Sequence, residues 1–348
     1  MKKLGYAVLG LGIGMAHAEA AAASENAELV AVCDINEKRL EKAAALYKGI
    51  TLYHDFEDLL KDDRIDIISI CLPSAMHADF AVRAMEAGKH ILVEKPLDIT
   101  YERAMMIEEA RKRTGKTVGV VFQNRYNLNM YPIKKAVEDG RLGQLVLGTF
   151  AVKWYREQSY YNNWHGTWDM DGGGSLMNQA IHTVDLMCWL MGEPVSVTST
   201  MGIYNHDIET EDLTASLVKF KSGATATFVS TTCAYPGIST EIMLYGTNGT
   251  IEADADCLKT WKMKYPLEDM DEDDEEEMML SRFGKGNREA AKNEPDKLYG
   301  HRHVIEDMIL AVRDGRAPDV LPSVGADCVK LICAIYESAK TGKTMYLN

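Results

Sequence analysis

Short apolar runs alternate with amphipathic stretches along the first third of the chain. Residues 5–9, 29–33, 66–72, 90–93 and 117–122 are apolar nearly throughout, and residues 36–47, 75–87 and 101–113 carry helical spacing between them. Strands that are apolar on both faces belong in a parallel sheet covered by helices on each side, and this alternation builds a doubly wound α/β fold. After residue 123 the rhythm changes. From Pro194 onward the segments 194–204, 213–220, 224–233 and 238–246 alternate apolar and polar positions, separated by turns such as Lys221-Ser222-Gly223 and Thr247-Asn248-Gly249. That pattern predicts an antiparallel meander. One face would lie on helices and the other needs cover, so a homo-oligomer, dimer or tetramer, is expected through this sheet.

The expected architecture is a doubly wound parallel sheet over residues 1–123, followed by an α+β domain over 124–348 with an open, mainly antiparallel sheet. A last helix near 325–341 is expected to pack back on the first domain. The length, 348 residues, supports two domains, since single cores stop growing at about 250–300 residues.

Composition narrows the partners. A net charge of −14 speaks against nucleic acid and anionic membrane surfaces. The basic tip and apolar run of MKKLGYAVLGLGIG superficially suggest a signal peptide, but its glycines and the helix that follows mark a first strand. Seven cysteines without a CxxC pair fit a reducing compartment, and a cytoplasmic location is expected. The acidic run 268–277, EDMDEDDEEE, is expected to be a solvated insertion; it lacks the glycine and alternation of a calcium loop, and no metal is expected.

Candidate chemistry sits at three places. Gly10, Gly12, Ile13 and Gly14 follow the first strand and open a helix, where backbone N–H groups can face a pyrophosphate. The third glycine falls one residue early for GxGxxG, but Asp34 ends the second strand 24 residues after Gly10, where a carboxylate can accept both ribose hydroxyls. Asp34 would repel a 2′-phosphate, which favours NAD; Lys38 and Arg39 nearby keep NADP open. Glu94 and Lys95, in the Glu94-Lys95-Pro96 turn after residues 90–93, lie at the carboxyl edge where such sheets place cofactor and substrate. Lys95 can stay cationic and stabilise an alkoxide, or lose its proton and act as base.

The third place is DGGGSLMNQAIHTVDLMCWLMG, residues 171–192. Asn178, His182 and Asp185 stand at steps of four and three, which stacks them on one face of an α-helix. His182 is the preferred general base for a hydroxyl. The glycines are expected to let the backbone approach cofactor or sugar closely.

These residues carry a resemblance. The glycine turn, the EKP turn and the GGG…N…H…D helix together resemble the glucose-fructose oxidoreductase/inositol dehydrogenase/MocA family over nearly the whole chain. The resemblance implies a nicotinamide-dependent dehydrogenase with a Rossmann domain and a substrate domain on an open sheet, in which Lys95 and His182 bracket the reacting hydroxyl. Asn178 departs from the aspartate usual in inositol dehydrogenases. The stretch 164–185 is most similar to members oxidising the C3 hydroxyl of a pyranose, including nucleotide-linked N-acetylglucosaminuronate dehydrogenases and glycoside 3-dehydrogenases. The same branch implies cofactor contacts from Cys71, Leu72, Pro73, His77 and Gln123.

Trp154, Tyr155, Tyr160, Tyr161, Trp164 and Trp168 crowd into fifteen residues, and their faces suit the C–H face of a sugar ring. About half of the rings are expected to be structural. Arg156, His165 and Asp169 are the expected polar selectors of the substrate, with Arg125 placed to touch cofactor or an anionic group.

Overall fold

The computed structural model describes residues 3–254, 257–285 and 300–347. The chain divides into two compact units. Unit 1 gathers the chain up to Gln123 together with Asp169–Gly172 and Gly300–Val329, and unit 2 holds the remainder. The single cut expected at 123/124 is thus joined by later crossings. Backbone hydrogen bonds explain the two returns to unit 1: Ala75 N donates to Met170 O at 3.1 Å, and Val120 N to Val320 O at 3.2 Å.

Unit 1 runs β1 (Leu4–Leu9), α1 (Gly14–Ala22), β2 (Ala27–Cys33), α2 (Glu37–Leu46), β3 (Thr51–Tyr53), α3 (Phe56–Leu60), β4 (Ile67–Ile70), α4 (His77–Glu86), β5 (His90–Val93), α5 (Tyr101–Thr114) and β6 (Val118–Val120). The strands form one parallel sheet in the order β3-β2-β1-β4-β5-β6. Chain direction across the sheet reverses between β1 and β4, so the turns leaving these two strands open side by side at the carboxyl edge. The inner strands are buried on both faces, as Tyr6, Val8, Ile67, Ile68, Ile91 and Val93 show. Local chemistry sets the helix ends: Thr100 caps α5 by accepting from Arg103 N, and Gly115 ends it at φ 68°. The sequence pattern missed β3 and α3, which are too short to show a period.

Unit 2 begins with α6 (Met130–Glu138) and β7 (Leu145–Lys153). A π-helical turn (Ser175–Gln179) leads into α7 (Ile181–Met191), and then come β8 (Pro194–Gly202), β9 (Leu213–Phe220), β10 (Thr225–Thr231), β11 (Ser239–Gly246), β12 (Gly249–Asp254), β13 (Cys257–Met263) and α8 (Glu272–Phe283). The chain enters unit 1 for α9 (Gly300–Asp314). Then α10 (Pro322–Thr341) carries it back to unit 2 and the short β14 (Met345–Tyr346). The sheet order is β13-β12-β11-β7-β10-β9-β8-β14.

This is not the simple meander expected. β7 inserts between β10 and β11, parallel to the first and antiparallel to the second. The open, mainly antiparallel character stands, because the other pairs are antiparallel. Burial alternates with the pleat: Thr214, Ser216, Val218 and Phe220 of β9 are buried while Leu217 between them is exposed. The covered face carries α7, so close at one point that a Cβ on Gly148 would lie 2.3 Å from Met191 Sδ.

The acidic run is exposed over most of its length, as expected of a solvated segment, with one residue turned inward. It forms part of α8, and Glu275 within it is 1% exposed, accepting from Arg141 and from Trp261 Nε1 at 2.8 Å. No described helix is long and apolar enough to cross a membrane.

Candidate active site

The glycine turn after β1 has two kinds of glycine. Gly10 sits at φ 87°, and a Cβ there would lie 2.4 Å from Cys71 O; one on Gly14 would lie 2.7 Å from Val8 Cγ1. These two are demanded by packing. Gly12 has nothing within 4 Å of its Cβ position, so its side of the turn is open. The N-cap of α1 is Ile13, without a capping side chain, and the first turn holds no acidic residue. Such a helix start leaves its N–H groups for an anionic ligand. Asp34 Oδ2 accepts from Leu11 N at 2.7 Å and Oδ1 from Asn36 N at 2.8 Å, with Arg39 Nη1 3.4 Å from Oδ2. A carboxylate so oriented retains acceptor capacity for ribose hydroxyls. The residues present fit NAD.

Cys71, Leu72 and Pro73 leave β4 beside this turn, with the Cys71 carbonyl against Gly10. His77 is buried: its Nδ1 is 2.7 Å from Pro96 O and its Nε2 2.9 Å from Leu72 O. Its ring clasps the EKP turn to the turn after β4. Burial pulls its pKa below the ordinary value, while the two carbonyls oppose that shift. Gln123 opens a short helical turn just after β6.

Glu94 is turned inward. Its Oε1 meets His17 Nε2 of α1 at 3.0 Å, and its Oε2 accepts from Lys95 N at 3.0 Å. His17 Nδ1 continues to Ser69 Oγ (2.8 Å), which meets the Tyr6 hydroxyl (2.5 Å). Burial would raise the Glu94 carboxyl, but hydrogen bonds from His17 and His301 and the charge of Lys95 hold it well below the usual range. Burial pulls the Lys95 ammonium below its ordinary pKa, against the charges of Glu94 and Asp171. A half-buried amine at the carboxyl edge, with a lowered pKa, can exchange a proton with a hydroxyl.

In unit 2 the polar stripe is not one helical face. Asn178 lies in the π turn and His182 in the first turn of α7, so α-helical spacing does not run through them. Asn178 Nδ2 is 3.2 Å from His165 Nδ1, and its Oδ1 accepts from the Tyr160 hydroxyl at 3.3 Å. Tyr160 stacks on His165 with centroids 4.4 Å apart, accepts from Gln179 Nε2 at 3.0 Å, and lies under the Arg156 guanidinium. Asn178, Gln179, His165, Tyr160 and Arg156 thus form one polar–aromatic cluster at the entry to α7. His182 is buried at the start of that helix, and Asp185 is held by Arg125.

The aromatic residues divide. Trp164 sits against His165 at 3.9 Å between centroids. Trp168 is tied down: its Nε1 donates to Glu209 O, Lys340 lies over its face and Tyr336 meets it edge-on. Tyr161 donates to or accepts from Thr232 in the core, and Trp154 Nε1 donates to Thr240 Oγ1. Asp169 is exposed in the segment that belongs to unit 1.

Known proteins match along this whole arrangement. Residues 4–122 match the family model described as oxidoreductase family, NAD-binding Rossmann fold, and residues 132–252 match the GFO/IDH/MocA C-terminal domain. An inositol 2-dehydrogenase of Rhizobium meliloti is 30% identical over 260 residues, 72% of this chain and 75% of the relative. The chain belongs to the Gfo/Idh/MocA family of oxidoreductases.

Its N-terminal domain is therefore an NAD-binding Rossmann domain, and its relatives include dehydrogenases of sugars and polyols. The crystal structure of the WlbA dehydrogenase from Bordetella pertussis, in complex with NADH and UDP-GlcNAcA, is 29% identical with a TM-score of 0.87, covering 100% of this chain and 99% of that one. A D-glucoside 3-dehydrogenase of Escherichia coli is 28% identical over 196 residues, 55% of each chain.

Two features of this family member had no sequence signal. Gln179, which the sequence reading did not single out, joins the polar cluster through Tyr160. Glu211, 29 residues beyond His182, reaches back to the turn that leads into α7. Among the described residues, two largely buried groups also bring metal-type ligand atoms together, His17/Glu94/His301 and His206/Asp212/Cys233. In the second, His206 is committed at both ring nitrogens, to Asp212 Oδ2 and Arg156 O. Burial pushes the Cys233 thiol up to about 12. This group reads as a clasp on the loop before β9.

Proposed function

We propose that the protein oxidises a ring hydroxyl of a pyranose sugar or glycoside, at C3, to the keto sugar. The observation that carries the reading is a half-buried lysine, its pKa lowered by desolvation, at the carboxyl edge of an NAD-binding sheet. The polar–aromatic cluster beside His182 supports it, since stacked rings and amides are what recognises a sugar. So do relatives whose names specify glucoside 3-oxidation and a complex with a nucleotide-linked uronic acid.

His182 takes the hydroxyl proton and Lys95 stabilises the alkoxide; the exchanged assignment, with Lys95 as base, is the alternative, and Lys95's lowered pKa favours it more than the sequence did. Bound NAD would accept the hydride from the carbinol carbon. Arg156, His165, Asn178 and Trp164 orient the sugar. The exposed outer sheet face around Leu147 and Leu217 is assigned to self-association.

The test is reduction of added NAD, followed by absorbance, with panels of free sugars, aryl glycosides and nucleotide sugars. The product carbonyl is located by NMR. Turnover with one class and a 3-keto product is expected. A protein that binds NADH yet oxidises none of the three classes sinks the proposal. Aglycone release without net NADH would instead favour a glycosidase or epimerase working through transient oxidation.

A further inference from the structure

Glu211 lies fully inside unit 2, in the loop just ahead of β9, and the family reading gives it no role. Its contacts converge on three consecutive residues. Oε1 accepts from Gly174 N at 3.0 Å and Leu176 N at 3.1 Å, Oε2 accepts from Ser175 Oγ at 2.6 Å, and its backbone carbonyl accepts from Ser175 N at 3.1 Å. The Tyr336 hydroxyl of α10 adds a further donor to Oε1 at 2.7 Å. The N–H groups at the start of a helical segment have no partner within it, and burying them without one is costly. Glu211 supplies that partner from outside the segment.

The glycines support the same arrangement independently. A Cβ on Gly174 would lie 1.8 Å from Glu211 O, and one on Gly173 would lie 2.1 Å from the Tyr336 hydroxyl oxygen. The second and third glycines of DGGG are therefore there to admit Glu211 and Tyr336, not a phosphate. Gly172, which belongs to unit 1, instead packs on Ile99.

We propose that Glu211 is a positioning residue for His182: by capping the turn at Gly174, Ser175 and Leu176 it fixes where the π turn and α7 begin, and hence where the imidazole is held. The inference rests on His182 being an acid–base residue of the proposed oxidation. The path is short and continuous. From the capped turn, Asn178 N bonds to Gly174 O and Ala180 N to Ser175 O, and Thr183 N and Val184 N then bond to Ala180 O.

The chemistry of the cap predicts which substitutions it tolerates. Burial raises the Glu211 carboxyl to about 7, against the hydrogen bonds that lower it. A protonated carboxyl still accepts the backbone N–H groups at Oε1. Its O–H can donate to Ser175 Oγ, which then turns its proton toward Ser230 Oγ, 3.0 Å away and itself next to Thr214 Oγ1 at 2.7 Å. Glutamine reproduces that state, with an oxygen for the N–H groups and an NH2 for Ser175. Leucine fills the space and accepts nothing.

The experiment compares Glu211→Gln, Glu211→Leu and Tyr336→Phe in the full-length protein. Amide hydrogen exchange of peptides within 173–191 is read against peptides of β1 and β2. The His182 imidazole resonances, assigned with His182→Asn, are read by NMR. kcat, KM and the Kd of NADH are measured with an aryl glucoside. Glu211→Leu is expected to speed exchange of the 173–191 peptides about tenfold or more and shift the His182 resonances. It should lower kcat about tenfold or more with the Kd of NADH unchanged. Glu211→Gln is expected to stay near wild type in all of these. If Glu211→Leu does not fold, Tyr336→Phe carries the test, with a smaller rise in exchange confined to the same peptides. Unchanged exchange and unmoved His182 resonances in the variants overturn the inference, as does a Gln variant as impaired as the Leu one. A wild type that oxidises no glucoside counts against the proposed function alone, because exchange and NMR still decide the capping role.

Discussion

Arg125 holds Asp185 in a two-pronged ion pair, Nε to Oδ2 at 2.8 Å and Nη2 to Oδ1 at 2.6 Å. Both side chains are largely buried, and the guanidinium also lies over the Trp189 ring. The pair therefore fastens the start of unit 2 to the helix carrying His182. Arg125 is engaged within the protein, where the sequence had offered it to the cofactor or an anionic substrate. Removing one partner of a buried pair leaves an uncompensated charge at a cost of about 3–5 kcal/mol. Arg125→Met is expected to lower the denaturation midpoint of the protein sharply, whereas Arg125→Met with Asp185→Leu recovers part of the loss. A single variant as stable as wild type in a urea titration would contradict this.

Lys95 and His182 are expected to separate by their effects. His182→Asn should lower kcat by about 10²–10⁴, the ordinary contribution of a general acid or base, and leave NADH affinity intact. Lys95→Met should show a comparable loss, and Lys95→Arg should recover little of it if deprotonated lysine is the base, because guanidinium stays charged. The pH profiles of kcat/KM for wild type and both variants decide the assignment. Substantial recovery in Lys95→Arg would make Lys95 the alkoxide-stabilising cation.

The glycines provide a sharper contrast. Gly12→Ala meets no neighbour in the protein, so the thermal midpoint should stay within a degree or two while NADH affinity falls about tenfold or more as the methyl enters the pyrophosphate position. Gly174→Ala drives a methyl into the Glu211 backbone and should destabilise the protein by several kcal/mol. Tight NADH binding by the first variant, or wild-type stability in the second, would break the distinction.

Asp34 is expected to set the cofactor. Replacing it by serine removes the charge that opposes a 2′-phosphate while Arg39 stays beside it. The ratio of kcat/KM for NAD over NADP should then fall by about tenfold or more. An unchanged ratio would mean that other residues read the ribose.

Stability should depend on pH through Glu211. The carboxyl titrates near 4.5 when unfolded and is raised to about 7 in the fold. The folded state thus favours the protonated form. The contribution is complete below the unfolded pKa and is lost as pH rises through about 7, at most on the order of 3 kcal/mol. Facing groups do not confuse the reading. Asp212 is held below its ordinary pKa because hydrogen bonds outweigh its burial, and burial raises the Tyr161 phenol out of the window. The Tyr336 hydroxyl donates to the carboxyl. Glu211→Gln should therefore flatten the slope of thermal midpoint against pH between about 4.5 and 7. The same slope in both proteins would remove Glu211 as its source.

Local patterns carried much of this molecule. Apolar strands and intervening helices follow from side-chain periodicity, and β1, β2, β4 and β5 lie where the runs of Tyr6–Leu9, Ala31–Cys33, Ile67–Ile70 and Ile91–Val93 put them. The glycine turn, Asp34, the EKP turn and His182 were legible because each combines a special residue with a fixed place relative to a strand or helix. What no local pattern contained were pairings between segments distant in sequence. The insertion of β7 between β10 and β11, the burial of Glu275 in an acidic run by Arg141 and Trp261, and the π turn separating Asn178 from His182 all depend on such partners. Glu211 is the plainest case. Its residue type and neighbours predict a surface glutamate. Only the fold brings it to three backbone N–H groups of a glycine turn, where a buried carboxyl is stabilised by the donors it meets and those donors in turn require it.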